Sequence, residues 1–329
     1  MAVRISIGDT SFLSQDGESL LDCLSRNGVS VPHSCRSGVC QSCLMQVTAG
    51  PAPEAAQIGL KPTLQQQKFV LACQCKSDQD ISVAFPGAAG GDLPAVIAGK
   101  DRLNHNVLRL YLKPDGDFSC EPGQYLTLIN RDGVARSYSV ANDPARDGHI
   151  ELHIRLLKDG LMSGFIEKAG IGEPVTIRGP AGSCFYVRGD GAYPIVLAGT
   201  GTGLAPLYGV ARQALAHGHT GEIRLLHGAL READLYLVAE LQDLALRHPN
   251  FHYIPCVLKG EAERFYRAGN IEEITMSILP GDKSRTHLFL CGAPEFVTAL
   301  KRKAFLGGVA SKHIFSDAFL PTKSAPVAA

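Results

Sequence analysis

Four cysteines near the start of the chain constrain its fold more than any other feature. Cys35, Cys40 and Cys43 follow the spacing C-x4-C-x2-C, and Cys73 comes 29 intervening residues later. Four thiolates that hold one metal group must converge on a small volume, so a loop supplies three ligands and a distant strand the fourth. Zinc ribbons show paired C-x2-C spacings instead. The observed spacing is typical of a [2Fe-2S] cluster and predicts one in the first part of the chain.

The rest of the sequence supports metal binding rather than disulfide bonding by these cysteines. The first residues lack the apolar core of a signal peptide, and no run of about 18 apolar residues exists to span a membrane. We therefore expect a cytoplasmic protein without a membrane span. That compartment keeps thiols reduced, so the ten cysteines are poor candidates for a disulfide framework.

The charge balance excludes one class of partner. Lys+Arg and Asp+Glu number 32 each, which leaves no global field to attract nucleic acid or an anionic membrane. We therefore predict no nucleic-acid partner, and any charged docking surface must be local.

Length and pattern indicate three compact units. Residues 1–90 contain the cysteine group, and the small, nearly uncharged segment 86–95 has the composition of a linker. Residues 93–190 contain short β-like runs separated by turn residues, which predict a small barrel or sandwich. Residues 191–329 alternate apolar strands with helical stretches, which predicts a doubly wound α/β domain with a parallel sheet.

The cysteine loop resembles that of the plant-type ferredoxin family, whose loop commonly reads C-x4-C-G-x-C. The resemblance implies a β-grasp-like α+β domain with Cys35, Cys40, Cys43 and Cys73 as cluster ligands. Gln41 stands where the family has glycine, which leaves the fine loop geometry open. The segment LACQC also offers Cys75, and because residues two apart on a strand face the same side, geometry alone does not exclude it.

The middle unit contains PGQYLTL and then RSYSVAN, in which Arg136, Tyr138 and Ser139 lie close together. In this order the motifs resemble the ferredoxin-NADP reductase superfamily, which implies an antiparallel FAD-binding barrel. The resemblance implies that Arg136 pairs with the FAD pyrophosphate, that Tyr138 packs on the isoalloxazine and that Ser139 contacts flavin N5. A guanidinium suits phosphate recognition and a tyrosine ring offers a stacking face, so the residue types agree with these roles.

Two further segments of the middle unit are candidates for FAD binding. The resemblance places the HIR segment, with His153 and Arg155, near the FAD, although an ordinary alternating strand explains these residues equally well. Downstream, Gly160, Met162 and Ser163 are expected to open a helix whose free N–H groups face the second phosphate.

The last unit contains VLAGTGTGLAP, a strand, a glycine turn and a helix, which is the context that dinucleotide binding requires. Gly199, Gly201 and Gly203 are expected to leave room for a pyrophosphate at the start of the helix, where the dipole favours anions. The form G-T-G-x-G-x-x-P again resembles the ferredoxin reductase superfamily.

The apolar run LFLCG ends at Cys291 and Gly292, and ligands bind at the carboxyl ends of such strands. The resemblance places this pair beside the nicotinamide, which gives Cys291 the role of positioning the hydride donor; a small buried core residue is the alternative. A C-terminal aromatic covers the flavin in many relatives, and Phe319 is the candidate for that role, with core packing as the alternative.

Taken together, the resemblance is to the reductase components of bacterial multicomponent oxygenases. It implies an enzyme that takes hydride from NADH onto FAD and passes single electrons through the [2Fe-2S] cluster to a metal-containing oxygenase or hydroxylase. A reductase of a deoxysugar pathway and a redox sensor without turnover are the alternatives. The segment HGALREADLY offers Arg231 but no basic cluster for a 2′-phosphate, so NADH is predicted over NADPH.

Overall fold

The computed structural model describes residues 2–33, 35–38, 41–86, 92–260 and 265–319. The chain divides into two compact units, Met1–Gly91 and Asp92–Ala329. No helix within the described ranges is long and apolar enough to cross a membrane.

The first unit is a five-stranded mixed sheet with a helix packed on it. Its strands are β1 (Arg4–Ile7), β2 (Thr10–Leu13), β3 (Leu44–Ala49), β4 (Phe69–Leu71) and β5 (Ile81–Ala84). Its helices are α1 (Leu20–Arg26) and α2 (Pro62–Gln66), with a 3-10 turn at Glu54–Gln57. The strand order is β2-β1-β5-β3-β4, and only the central β1–β5 pair is parallel. The predicted α+β fold is confirmed.

Helix α1 shows how the sequence builds this unit. Ser19 caps the helix by accepting a hydrogen bond from the Asp22 amide at 3.2 Å, and the Asp22 carboxylate lies in the first turn, where the helix dipole favours it. Leu20, Leu21 and Leu24 are buried on one face and pack into the core of the sheet. Helix α1 is therefore stabilised mainly by burial of its apolar face against the sheet.

The second unit begins with an antiparallel barrel. Its strands are β6 (Leu93–Arg102), β7 (Val107–Pro114), β8 (Tyr125–Ile129), β9 (Ala135–Ser139), β10 (Ile150–Arg155) and β11 (Pro174–Ala181). Its helices are α3 (Pro144–Asp147) and α4 (Leu161–Lys168). The order is β10-β7-β6-β11-β8-β9. A bridge between Val140 and Leu152 joins the two outer strands, so the sheet closes on itself. Of the two expected forms, the barrel is the observed one.

The segment expected to be a linker, residues 86–95, overlaps a strand at its end. Residues 87–91 lie outside the described residues, whereas Leu93, Pro94 and Ala95 already belong to β6. Ala95 is buried and pairs with Val175 of β11. Small residues and a proline resemble a loop in composition, but here the strand pairing determines their structure, so this part of the prediction is wrong.

The second unit continues with the predicted parallel sheet. Its strands are β12 (Ile195–Thr200), β13 (Ile223–Ala229), β14 (Phe251–Val257), β15 (Arg267–Ala268), β16 (His287–Gly292) and β17 (Ile314–Ala318). Its helices are α5 (Leu204–Ala216), α6 (Val238–Arg247), α7 (Ile271–Ile278) and α8 (Pro294–Leu306). The order is β15-β14-β13-β12-β16-β17, with every pair parallel. The chain order reverses beside β12, so a crevice opens at the carboxyl ends of β12 and β16.

Three histidines lie together at the opposite, amino end of this sheet. His287 is 1% exposed, and its ring centroid is 4.9 Å from that of His313. Neither ring nitrogen of His287 has a hydrogen-bond partner among the described residues, although an Asp190 carboxylate oxygen lies 3.4 Å from Nε2. Burial, and then the nearby His313 and His219, lower the pKa of His287 to about 3. His287 is therefore neutral in the folded protein at neutral pH.

We expect His287 to make the second unit sensitive to acid. The folded chain resists protonation of this ring until about pH 3, whereas the unfolded chain accepts the proton near pH 6.5. Stability is therefore lost as the pH falls from about 6.5 toward 3, by up to about 1.4 kcal/mol per pH unit. His287→Leu should reduce this loss in thermal unfolding followed by circular dichroism. The exposed His252→Leu is the control, and an equal pH dependence in both variants would contradict the assignment.

Candidate functional site

Two of the predicted cluster ligands come together in the first unit. Cys43, beside the start of β3, is 3% exposed, and Cys73, just after β4, is partly exposed. β3 and β4 pair directly, which brings the two thiols close to each other. Burial raises the pKa of the Cys43 thiol, and the side chain of Cys73 raises it further. A bound iron would remove this penalty by replacing the proton on each sulfur.

Cys35 lies on the exposed loop that precedes this pair. Its Sγ accepts a hydrogen bond from the Ser37 amide at 3.4 Å, the kind of contact that tunes a cluster sulfur. Cys40 lies outside the described residues. Among the residues that are described, no three His, Cys, Asp or Glu side chains form a site for one metal ion. A [2Fe-2S] cluster divides its thiolates between two irons, so the pair Cys43 and Cys73 fits one iron.

Among the described residues of the loop, Arg36, Gly38 and Gln41 adopt the left-handed backbone conformation. Gly38 has φ +81°, and a Cβ there would lie 3.2 Å from the Gln74 side chain, so the loop passes close to the segment that carries Cys73. Gln41 has φ +57°, which explains why the resembling family has glycine at this position. The Gln41 side chain donates a hydrogen bond to the Gly59 carbonyl oxygen at 3.1 Å, which holds the strained residue in place.

Cys73 and Cys75 differ in their surroundings. Cys75 is 1% exposed and belongs to the core behind α1, where its carbonyl oxygen accepts the Leu20 amide at 2.7 Å. Cys73 contacts Cys43, and its sulfur lies 3.5 Å from Nε2 of Gln74. The geometry favours Cys73 as the fourth ligand.

The three predicted flavin residues lie on β9 of the barrel. Arg136 and Tyr138 alternate with the exposed Ser137, so they share one face, as predicted. Tyr138 packs against the barrel core, and burial raises the pKa of its hydroxyl to about 12. Both side chains remain partly exposed, which leaves surface for a ring and a phosphate to bind. These features fit FAD.

The helix predicted at Gly160 is present as α4. Gly160 is its N-cap and provides no side-chain cap, so the first amides are available to an anion. Ser163 accepts the Leu157 amide at 3.2 Å, and Met162 is buried in the barrel core. Any contribution of Met162 and Ser163 to phosphate binding would therefore come from the backbone. Arg155, at the end of β10, is exposed.

His153 does not lie where a flavin could reach its side chain. A side chain that touches bound FAD must be exposed when FAD is absent, but the His153 side chain is fully buried. Nε2 lies 2.9 Å from a Glu151 carboxylate oxygen, and Nδ1 lies 3.2 Å from the Tyr236 hydroxyl. This burial argues against a side-chain contact with FAD, because alternation along β10 turns the ring toward Tyr236; a backbone contact stays a prediction. His153 instead joins the barrel to the segment before α6.

The three glycines of the nucleotide loop have different functions. A Cβ on Gly203 would collide with the Cys291 carbonyl oxygen, and one on Gly199 would lie 2.9 Å from the Gly203 carbonyl oxygen. Gly203 lets the loop pack against β16, whereas Gly199 leaves room for Gly203 and the Leu207 side chain. Gly201 has φ +55°, and nothing lies within 4 Å of its Cβ position. Of the three, Gly201 is the one that faces open space where a pyrophosphate could bind.

Gly292 lies at the end of β16 beside the same loop. It has φ +130°, and Thr200 fills the space that a side chain would need. The Thr200 hydroxyl accepts the Ala293 amide at 3.2 Å, which joins the loop after β12 to the start of α8. The Phe319 amide donates to the Gly292 carbonyl oxygen at 2.9 Å, so this partly exposed aromatic lies beside the crevice. Phe315 is instead stacked on Phe289 in the core.

Barrel and sheet meet where β9, β16 and β17 end. The buried Ser139 hydroxyl donates to an Asp317 carboxylate oxygen at 3.4 Å, and Asp317 pairs in register with Cys291. Burial raises the pKa of Asp317, and the Ser139 hydrogen bond partly offsets this. The prediction included Ser139 and Cys291 but missed Asp317. The signal was present, since Asp317 is the acidic residue of the apolar run IFSDAFL.

Comparison with known proteins identifies three regions of the chain. Three family models match in order: a 2Fe-2S iron-sulfur cluster binding domain over residues 5–78, an oxidoreductase FAD-binding domain over 94–186 and an oxidoreductase NAD-binding domain over 197–302. The chain is 31% identical over 316 residues to a Ralstonia ferredoxin--NAD(P)(+) reductase component of naphthalene 1,2-dioxygenase/salicylate 5-hydroxylase systems, covering 94% of this chain and 95% of the relative.

Two further similarities span nearly the whole chain. A Yersinia pestis CDP-6-deoxy-L-threo-D-glycero-4-hexulose-3-dehydrase reductase is 28% identical, covering 98% of this chain and 99% of the relative. The crystal structure of the Amycolatopsis cytochrome P450 reductase GcoB matches with a TM-score of 0.67 and 30% identity, covering 97% of this chain and 99% of that one. From its three domains, their order and these relatives, the chain belongs to the family of iron-sulfur flavoprotein reductases that join a [2Fe-2S] ferredoxin domain to an FAD- and NAD-binding reductase.

Proposed function

We propose that this chain takes hydride from NADH onto FAD and passes the electrons singly, through its [2Fe-2S] cluster, to a metal-containing oxygenase or hydroxylase in the cytoplasm. The domain limits 1–90, 93–190 and 191–329 are part of this proposal. The observation that carries it is the convergence of Ser139, Asp317 and Cys291 where the barrel meets the parallel sheet.

The residues at this junction can position both cofactors. Arg136 and the first turn of α4 provide positive charge and free amides for the FAD phosphates. Tyr138 provides a stacking face. The open side of Gly201 and the start of α5 provide the corresponding site for the coenzyme. Bound FAD supplies the chemistry that accepts a hydride and releases single electrons.

The chain's own residues control the polar environment of the reacting atoms. The Ser139 hydroxyl lies at the buried end of β9, and it can donate a hydrogen bond to a bound group when its proton turns away from the Asp317 carboxylate. Burial keeps water away from Cys291 and raises the pKa of Asp317, so a proton can reside on this carboxyl nearer to neutral pH than on an exposed one. Such fixed donors in a dry site favour charge transfer.

The oxygenase partner is favoured over a deoxysugar dehydrase by relatedness. The Ralstonia relative, whose name states an oxygenase system, is 31% identical, whereas the sugar-pathway reductase is 28% identical. Because the two values are close, the acceptor has to be tested directly.

Anaerobic titration of the full-length protein with NADH tests the proposed electron path. We expect the flavin and cluster absorbance to bleach together, and cytochrome c, a one-electron acceptor, to be reduced in turnover. A spectrum that NADH leaves unchanged would indicate a sensor without turnover. Adding an oxygenase component of the naphthalene type or a sugar dehydrase as acceptor then separates the two partner classes.

Ser139→Ala is expected to slow flavin reduction by NADH. Loss of one preorganised hydrogen-bond donor at a reacting centre typically costs about 100-fold or more. Stopped-flow absorbance of the flavin measures this rate, and the cluster signal should remain intact. Ser137→Ala is the matched control, because Ser137 lies on the same strand but is exposed. Equal rates in the two variants would remove Ser139 from the mechanism.

NADH is expected to give a higher kcat/KM than NADPH. β13 ends at Ala229, at the edge where the adenosine ribose of a dinucleotide binds. Arg231 follows, but the 3-10 turn Glu232–Asp234 adds two carboxylates beside it, and these would repel a 2′-phosphate. We expect a preference of about tenfold or more, equal to about 1.4 kcal/mol. Glu232→Arg should reduce the difference in kcat/KM between NADH and NADPH. Equal kcat/KM values for the two coenzymes in the unmodified protein would contradict the predicted preference for NADH.

A further inference from the structure

Two buried thiols face each other beside the hydride-transfer site. The sulfur of Cys184 lies 3.5 Å from that of Cys291, although 107 residues separate them in the chain. Cys184 is 3% exposed and Cys291 is fully buried. Cys291 ends β16, whereas Cys184 lies in the segment that leads from β11 to β12. The pair therefore connects the segment that follows the barrel to a strand of the parallel sheet, within one hydrophobic core.

The backbone holds both cysteines in place. The Cys184 carbonyl oxygen fills the space where Gly123 lacks a Cβ, and the Cys291 carbonyl oxygen does the same at Gly203. Gly123 belongs to the PGQYLTL segment of the barrel, and Gly203 begins α5 at the nucleotide loop. Any movement of either cysteine is therefore transmitted to the segments that border the proposed cofactor sites.

We propose that Cys184 and Cys291 are an oxidisable dithiol that hydrogen peroxide converts to a disulfide, and that this bond stops hydride transfer. This consequence rests on the proposed function. One thiol takes an oxygen atom from the peroxide to give a sulfenic acid and one water molecule. The second thiol then attacks that sulfur, the S–S bond forms and a second water molecule leaves. The two sulfurs lose two electrons, and the peroxide gains them.

The short distance between the two sulfurs favours formation of the disulfide, whereas burial slows the initial oxidation of a thiol by peroxide. After one sulfur is oxidised, its partner is already within contact distance, so disulfide formation competes well with further oxidation. The first step needs a thiolate, and burial, followed by the neighbouring Cys184, raises the pKa of Cys291 well above its ordinary value. The reaction should therefore be slow at neutral pH and faster as the pH rises.

The bond would change the site because the sulfurs must move. A disulfide has an S–S distance of about 2.05 Å, so the sulfurs must approach by about 1.5 Å. A displacement of about 1 Å at a reacting centre can cost about 100-fold in rate. Asp317 pairs with Cys291 in register, so the strand end that carries the proposed site residues is displaced with it.

Peroxide treatment of the full-length protein, loaded with FAD and cluster, tests the proposal. Free thiols are alkylated afterwards, and unreduced peptides are mapped by mass spectrometry. We expect a linked pair containing Cys184 and Cys291, and a loss of about 100-fold in NADH-ferricyanide rate that dithiothreitol reverses. Ferricyanide can take electrons from the flavin, so damage to the cluster does not determine this readout.

Variants separate this pair from the other cysteines. Cys184→Ala and Cys184→Ser should show neither the linked peptides nor the reversible loss, each compared with its own untreated rate. Cys256→Ala is the matched control, because Cys256 is equally buried and burial raises its pKa to about 12. It should respond as the unmodified protein does.

Three outcomes would overturn the proposal: no linked peptide after peroxide, a linked peptide with an unchanged rate, or the same reversible loss in both Cys184 variants. A protein without NADH-ferricyanide activity before treatment would refute the proposed function instead, and the peptide map would still decide whether the disulfide forms.

Discussion

Replacing Cys73 with serine is expected to abolish or strongly distort the visible and EPR signals of the cluster while FAD content is retained. Cys73 contacts Cys43 at the proposed iron site, and a serine oxygen is a poor substitute for a thiolate. Removing a residue that only hydrogen-bonds to a metal ligand lowers the affinity for the metal by about 10- to 100-fold. Removing a ligand itself should lower that affinity further. Cytochrome c reduction should fall with the cluster signal, whereas NADH-ferricyanide activity persists.

Cys75→Ser is the matched variant for this test. Its sulfur lies in the core of the first unit, so the substitution should leave both spectra nearly unchanged and lower only the melting temperature. The reverse pattern would identify Cys75 as the ligand. Clusters retained in both single variants would mean that either thiol can serve.

Gly203→Ala is expected to lower both stability and activity, whereas Gly201→Ala is expected mainly to weaken coenzyme binding. A Cβ on Gly203 meets the backbone of Cys291 and Gly292, so the end of β16 must move. We expect a loss of about 1 to 3 kcal/mol in unfolding free energy, from the overpacking, together with a fall of about 100-fold in kcat/KM for NADH. Thermal unfolding and steady-state kinetics of the FAD-loaded protein measure these two quantities.

Gly201→Ala should change coenzyme binding more than stability. Its Cβ meets nothing in the protein, so the cost to folding is only that of a left-handed alanine, about 1 kcal/mol. The added methyl group would occupy space assigned to the pyrophosphate, and KM for NADH should rise. If Gly201→Ala left KM unchanged while Gly203→Ala raised it without loss of stability, the functions given to the two glycines would have to be exchanged.

The sequence predicted the order and class of the three folds because each has its own local signal. Cysteine spacing, period-two strands with turns, and strand-helix alternation all operate over short distances along the chain. The prediction for the first residues of β6 was wrong, because Leu93, Pro94 and Ala95 form a strand by pairing with β11, and Ala95 also pairs with β7. No local signal reports a partner that is about 80 residues away.

Site residues could be predicted where a short sequence motif identifies them. They could not be predicted where tertiary packing determines which side chains meet. The Gly201 and Gly203 pattern marked the nucleotide loop, but which glycine faces the ligand depends on where β16 lies. His153 was predicted to lie near the cofactor because its neighbours resemble a flavin-binding segment. On β10, however, the His153 side chain points toward Glu151 and Tyr236. Asp317 was missed because its partner, Ser139, is 178 residues earlier.

That separation between Ser139 and Asp317 has a consequence for how the protein is made. The first compact unit is contiguous in sequence and can fold as soon as it leaves the ribosome, because domains generally fold as units in the order of their synthesis. The contact between β9 and β17 closes a loop of 178 residues, and such long-range contacts form late. A nascent chain could therefore acquire its cluster well before Ser139 meets Asp317, so maturation would begin with iron-sulfur assembly and end with the hydride-transfer site.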